Sequence, residues 1–325
     1  MRFHTEPLRI KVGSASAREE LVLLVTAALL AYVSLVTYSK IAHEALGGLE
    51  QWHRTHLAGR APAPLQYRVA SFLIPELLMR ATGMGAIKAY LAERFAFTFL
   101  FTWALLQLSR EWFPVRTALL IATLFILFYD LAAFPHIQPS EEPNIFLFAC
   151  AMGCILRQQF LRLCGVVLAG ALTKSTIIFV VPIYFFHQWF TKHRLDSGDL
   201  LRAIVLTALI VPVLLVIERH YGTEREYLGG FWQWQDNLSS LARGKVSAYN
   251  FILVSVVPAT LVFCSWRRQP PLMRAVALTT IPFVLGHFLV SRTEEFRTYM
   301  PLALAGFPGV ARAVGDWLRE PEPVG

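Results

Sequence analysis

Ten apolar stretches set the terms for any fold this chain can adopt. They lie near residues 20–38, 89–109, 117–134, 144–157, 160–173, 175–190, 202–217, 247–265, 275–290 and 299–315. About 20 apolar residues in a helix cross the roughly 30 Å hydrocarbon layer of a bilayer. Only helices or closed barrels satisfy their backbone polar groups there. Several of the runs are shorter than a straight span needs, so their ends must extend into flanking polar residues. Composition points the same way: 16% of the 325 residues are charged and 55% are hydrophobic, against about 25% charged in a soluble domain. The runs predict an all-α, polytopic transmembrane bundle of about ten spanning helices, with short surface helices in its first outer loop.

One stretch decides the count. APAPLQYRVASFLIPELL, residues 61–78, is apolar enough to enter a membrane, yet it carries prolines ahead of a Gln-Tyr-Arg triplet and a Glu after Pro75. If it crosses, there are eleven spans; if it does not, there are ten. Lys and Arg concentrate in short cytoplasmic connections. With ten spans those connections are SREWFPVR, RQQFLR, TKHRLDSGDLLR, SWRRQPPLMR and the tail after Val310, and with the N-terminus they hold 16 of the 30 basic residues. Eleven spans would place the same basic connections outside. The stretch is therefore expected to lie along the outer face as a short amphipathic helix after a proline-stiffened entry.

The resulting layout is a basic cytoplasmic N-terminus (1–19), one transmembrane domain (20–315) and a cytoplasmic tail (316–325), with outer loops 39–88, 135–143, 218–246 and 291–298. The apolar run 21–37 is long for the core of a signal peptide and lacks a small-x-small cleavage site, so it reads as a retained first span. The setting expected is a bacterial inner membrane, with the N-terminus cytoplasmic and the working face outward. The net charge of +8 is read as loop Lys and Arg fixing topology in the lipid bilayer, and no nucleic acid is expected as a partner. Cys150, Cys154, Cys164 and Cys264 all fall in apolar runs and read as small buried thiols. There is no internal repeat, and no soluble domain is expected beside the bundle.

The outer side holds 14 basic residues against 13 acidic ones, which runs against the topological trend and asks for a local reason. Arg68, Arg94, Lys174, Arg292 and Arg297 fall at or near outer helix ends, where they can converge on a cavity. An Arg fork suits phosphate because it donates two parallel hydrogen bonds. Lys174 sits in ALTKST between two apolar runs, where an unpaired ammonium is costly. The plainer alternative is that these side chains snorkel to lipid headgroups or pair with nearby Glu. His136, Glu141 and Glu142 on the second outer loop suit sugar hydroxyls or a divalent ion, although PSEEP also reads as a cap and first helical turn. His53 and His56 in HRTH, with His43 and Glu44 nearby, resemble a weak zinc pattern. No metal or other cofactor is assigned. YLGGFWQWQD in the third loop reads as belt aromatics or as a stacking platform for a sugar ring.

Taken in order, a long first outer loop with an acidic residue, PAPLQYR leading into a surface helix, AERFAF opening the next span, GALTKST between two central spans and EEFRTYMPLA near the end resemble the GT-C class of membrane glycosyltransferases. That class includes protein O-mannosyltransferases and lipid A aminoarabinose transferases. The resemblance implies a GT-C-like fold and a sugar donor carried on polyprenyl phosphate. An acid of the first outer loop would act as general base toward the acceptor hydroxyl. Arg68, Arg94, Lys174, Arg292 and Arg297 would stabilise the departing lipid phosphate, and Gln66, Tyr67, His136, Glu141, Glu142 and Glu295 would contact sugar or acceptor. The first-loop acids are Glu44, Glu50 and Glu76. Glu44, about six residues past the first span, is preferred over Glu50, and Glu76 lies in the surface helix. The sequence departs from the commoner pattern of Asp or an acidic pair, having no Asp before Asp130. The acceptor is not specified by the sequence. Two other readings compete: a transporter or flippase for a lipid-linked or anionic solute, and a silent scaffold of the same fold.

Overall fold

The structure is a computed structural model and describes residues 16–42, 46–61, 65–133, 141–222, 232–245, 252–291 and 296–318. The described residues are helical, with no strand among them. In chain order the α-helices are α1 (Ala17–Ile41), α2 (Leu49–Leu57), α3 (Ala70–Thr82), α4 (Ala86–Ser109), α5 (Val115–Ala133), α6 (Glu141–Leu156) and α7 (Phe160–Thr173). They continue as α8 (Val180–Lys192), α9 (Ser197–Tyr221), α10 (Trp234–Ala242), α11 (Val257–Cys264), α12 (Pro271–Val290) and α13 (Met300–Leu318).

Four of these, α1, α4, α9 and α12, are long and apolar enough to cross a membrane. The expected count of ten spans is not reached by that measure among the described residues; α6, α7, α8 and α11 have 16, 14, 13 and 8 residues, short of the roughly 20 that a straight span needs. In α1, Leu23, Ala27, Ala31 and Ser34 form a fully buried stripe, while Leu21, Leu29, Tyr32 and Val33 on its other side are each more than half exposed. A helix that is apolar on the face turned away from the core is built for lipid rather than water.

Two contacts fix how α1 and α4 run. Arg110, just past the end of α4, donates to Glu20 in the first turn of α1 at 2.6 Å. At the opposite end the Arg94 guanidinium lies 3.7 Å from the Tyr38 ring centre. The two helices are therefore antiparallel, and the segment between them leaves and returns at the same end of the bundle. The described residues of the stretch 61–78 form a 3-10 turn at Leu65–Tyr67 and then enter α3, which at 13 residues is short of a straight span; these are two short pieces of the first-loop layer.

The same end collects the last turns of α1, α5 and α7 and the first turns of α4 and α6. The break between α7 and α8 is made by sequence. Lys174 is extended (φ −163°, ψ 138°) and a 3-10 turn, Ser175–Phe179, follows it. Gly170 lets that turn fold back closely, since a Cβ there would come within 2.7 Å of Ile177 Cδ1. Below this layer the core is aromatic: Phe101, Phe125 and Tyr129 meet edge to face, and Phe307 of α13 packs edge-on against Phe125.

Candidate functional site

Charged residues at this end of the bundle form two linked pairs. Lys174 donates from Nζ to both carboxylate oxygens of Glu141, at 2.7 and 2.8 Å. Arg68, between the 3-10 turn and α3, lies 3.5 Å from the same carboxylate. One residue on, Glu142 accepts from Arg94 and from the Tyr129 hydroxyl through a single oxygen. All five charged side chains are buried. A charge removed from water is tolerable only when paired and hydrogen-bonded, and each of the pairs meets that condition. Glu141 and Glu142 open α6, where the positive end of the helix dipole favours anions.

Around these pairs lies a polar shell. Ser34 of α1 donates to Asp130 of α5 at 2.6 Å, and Asn144 donates to Thr176 at 3.2 Å. Tyr38, Leu46, Leu49, Tyr90, Leu91, Arg94 and Glu142 line a narrow pocket, so α1, the first-loop segment, α4 and α6 all contribute to one wall. Glu93, one position before Arg94, is 2% exposed, and neither of its carboxylate oxygens has a hydrogen-bond partner among the described residues.

A third set of contacts ties the first-loop layer to α4. His53 Nδ1 lies 2.9 Å from the Tyr90 hydroxyl, and His53 Nε2 lies 3.0 Å from Glu76 Oε2. Arg80 donates to the other oxygen of Glu76 at 2.5 Å. The bonds from His53 and Arg80 hold the Glu76 carboxyl below the usual carboxylate range. His56, buried one turn further along α2, is pushed down to about 4 by burial, against the raising effect of its bond to the Trp52 carbonyl.

Of the residues singled out in the sequence, Arg68, Arg94, Lys174, Glu141 and Glu142 come together here. The plainer alternative for the cations, pairing with nearby Glu, is also what these three do. The PSEEP reading as a helix start agrees with Glu141 and Glu142 lying in the first turn of α6. Glu50 is not brought to the cluster. Its side chain is 61% exposed and pairs with Arg54 at 2.5 Å on the outer face of α2. Gln66 is buried but serves the loop: its Oε1 accepts from the Ala61 N–H, and its Nε2 donates to the His56 carbonyl. The Tyr67 hydroxyl donates to the Gly222 carbonyl at the end of α9. Glu44, His43, His136, Arg292 and Glu295, and the side chain of Arg297, lie outside the described residues.

His53 and His56 engage different partners, and no group of three metal-capable side chains occurs among the described residues. Sequence reasoning passed over Tyr90, Glu93, Tyr129 and Tyr38. Tyr90 and Arg94 had a usable signal in their i,i+4 spacing, which puts both on one helix face.

No protein-family model, no curated protein and no solved structure matches this chain.

Proposed function

We propose that this protein is a membrane glycosyltransferase that moves a sugar from a polyprenyl-phosphate donor to an acceptor at the end of the bundle where these charges gather. The observation that carries the reading is that Arg68 and Lys174 meet at Glu141 and Arg94 meets the adjacent Glu142, with Arg94 and Glu142 lining a pocket. A departing lipid phosphate is an anion, and cationic donors fixed in a water-poor site lower the barrier to its departure. Arg94 supplies a planar fork and Lys174 a compact charge. The apolar pocket between α11, α12 and α13, lined by Pro258, Val262, Val276 and Leu302 among others, suits the prenyl chain. In this reading the shorter helices also cross, giving ten spans, with the N-terminus cytoplasmic and the charged end outward. The GT-C resemblance gives Glu44, on the segment 39–88, the place of the group that takes the acceptor's proton.

The test is binding and hydrolysis of a panel of radiolabelled polyprenyl-phosphate sugars by the purified protein in nanodiscs. At least one donor should bind, and Arg94→Ala and Lys174→Ala should lose that binding while thermal unfolding shows the variants folded. If the folded wild-type protein neither binds nor hydrolyses any member of the panel, the proposal is wrong.

A further inference from the structure

The carboxylate, imidazole and phenol of Glu76, His53 and Tyr90 stand in a line, each on a different helix of the first-loop layer and α4. Glu76 Oε2 is 3.0 Å from His53 Nε2, and His53 Nδ1 is 2.9 Å from Tyr90 Oη. His53 is 2% exposed and Tyr90 4%. With the imidazole neutral, the three groups admit one direction for the hydrogen bonds. An ionised carboxylate has no hydrogen to give, so His53 Nε2 must carry one and donate it to Glu76. A neutral imidazole with its hydrogen on Nε2 has a bare lone pair on Nδ1, so the Tyr90 hydroxyl must donate there. Glu76 is kept ionised by His53 and by Arg80 at 2.5 Å. The phenol proton is therefore already directed at a base, and Tyr90 itself lines the pocket that holds Arg94 and Glu142. The arrangement has the order of a nucleophile–base–orienter triad, with a phenol in the first place.

We infer that Tyr90, backed by His53 and Glu76, takes the acceptor's proton in place of Glu44 in the sugar transfer proposed above, on whose donor and leaving group this inference rests. As the acceptor oxygen attacks the anomeric carbon, its proton passes to Tyr90 Oη, and the Tyr90 proton passes to His53 Nδ1. A carbon–oxygen bond forms to the acceptor. The bond from the anomeric carbon to the phosphate oxygen breaks, and the electron pair leaves with the lipid phosphate. The imidazolium so formed is held by Glu76, and the departing phosphate lies toward Arg94 and Lys174. Tyr90 is then a catalytic residue, and His53 and Glu76 are positioning residues. The acid of the first outer loop acts through two partners and never touches the acceptor.

Two measurements on the full chain in nanodiscs test this. The first is independent of turnover: nitrogen-15 NMR of histidine-labelled protein, with His53→Gln identifying the resonance. His53 should be the neutral Nε2–H tautomer, and Glu76→Gln should abolish that preference; an Nδ1–H tautomer or an imidazolium in the wild type overturns the relay. The second uses a donor from the panel that binds the wild-type protein. Tyr90→Phe keeps the ring against Trp52 and His53, so it should fold and bind that donor as the wild type does. Transfer should fall by roughly 100-fold or more, the usual weight of a general base, and His53→Gln should behave alike. Undiminished transfer by Tyr90→Phe, or transfer abolished by Glu44→Gln while Tyr90→Phe still turns over, refutes the relay and leaves the transferase reading standing. Absence of any donor binding removes the transferase reading, and this inference with it.

Discussion

Glu141 is the acid that faces two cations, so Glu141→Gln is the sharpest perturbation of the charged end. The substitution keeps the shape of the side chain and removes its charge. Lys174 loses an anionic partner at 2.7 and 2.8 Å, and Arg68 loses one at 3.5 Å. Lys174 and Glu141 are 6% and 3% exposed at the side chain, so water cannot take over the solvation. Unit charges 4 Å apart interact by about 4 kcal/mol at an effective dielectric near 20, and breaking a buried pair by removing one partner costs about 3–5 kcal/mol. Each kcal/mol moves the unfolding midpoint by about 2–4 °C in domains of 150–250 residues, so a fall on the order of 10 °C is expected. Intrinsic fluorescence of the eight tryptophans follows unfolding in nanodiscs. The decisive comparison is the double variant Glu141→Gln/Lys174→Met. It removes both charges of the closer pair, so it should be less destabilised than the two single changes added together, by about 1–3 kcal/mol. An unchanged midpoint in Glu141→Gln, or strict additivity in the double variant, would refute the claim that this pair is buried and coupled.

Three further outcomes follow from the geometry. Gly170→Ala should lower stability by about 1–3 kcal/mol through overpacking, because the new Cβ meets the buried Ile177 side chain; thermal unfolding reads it, and an unperturbed protein would show that the turn before α8 is loosely packed. Arg94→Lys should weaken donor binding by more than Lys174→Arg does, since a lysine cannot both lie flat on Tyr38 and reach Glu142; equal effects in the binding assay would remove the fork from the argument. His56 has its folded value pushed down to about 4 by burial, from an unfolded value of about 6.5. The unfolded chain therefore binds the proton first, so stability is full above about pH 6.5 and declines as pH falls toward about 4. His56→Gln should flatten that decline in midpoint-versus-pH curves, and an identical slope in the variant would place the titration elsewhere.

The apolar runs were legible because membrane character is a property of consecutive residues. The break at Lys174 was legible too: the run before it ends in the helix α7, the run after it becomes a 3-10 turn and α8, and the charged residue between them is the extended one. The pairing of charges was not legible. Lys174 meets Glu141 across 33 residues and Arg94 meets Glu142 across 48, and such distances depend on the rotation of each helix about its axis, which local periodicity leaves open. The first-loop acids illustrate the limit. Glu50 and Glu76 look alike in the sequence, but Leu49, His53 and His56 form the buried stripe of α2 at spacings of four and three, and Glu50 stands off that stripe in solvent. Glu76 instead finds His53 from a neighbouring helix. The stripe could be read from the sequence, but the neighbour that meets it could not. The antiparallel run of α1 and α4, pinned by Glu20–Arg110 at one end and Tyr38–Arg94 at the other, puts the two ends of the segment between them at one end of the bundle; the side of a membrane which that end faces rests on the basic connections alone. Since α2 and α3 pack against the end of α4 that carries Tyr90, Glu93 and Arg94, they bring Glu76 and His53 behind Tyr90, the member of that line that faces the pocket.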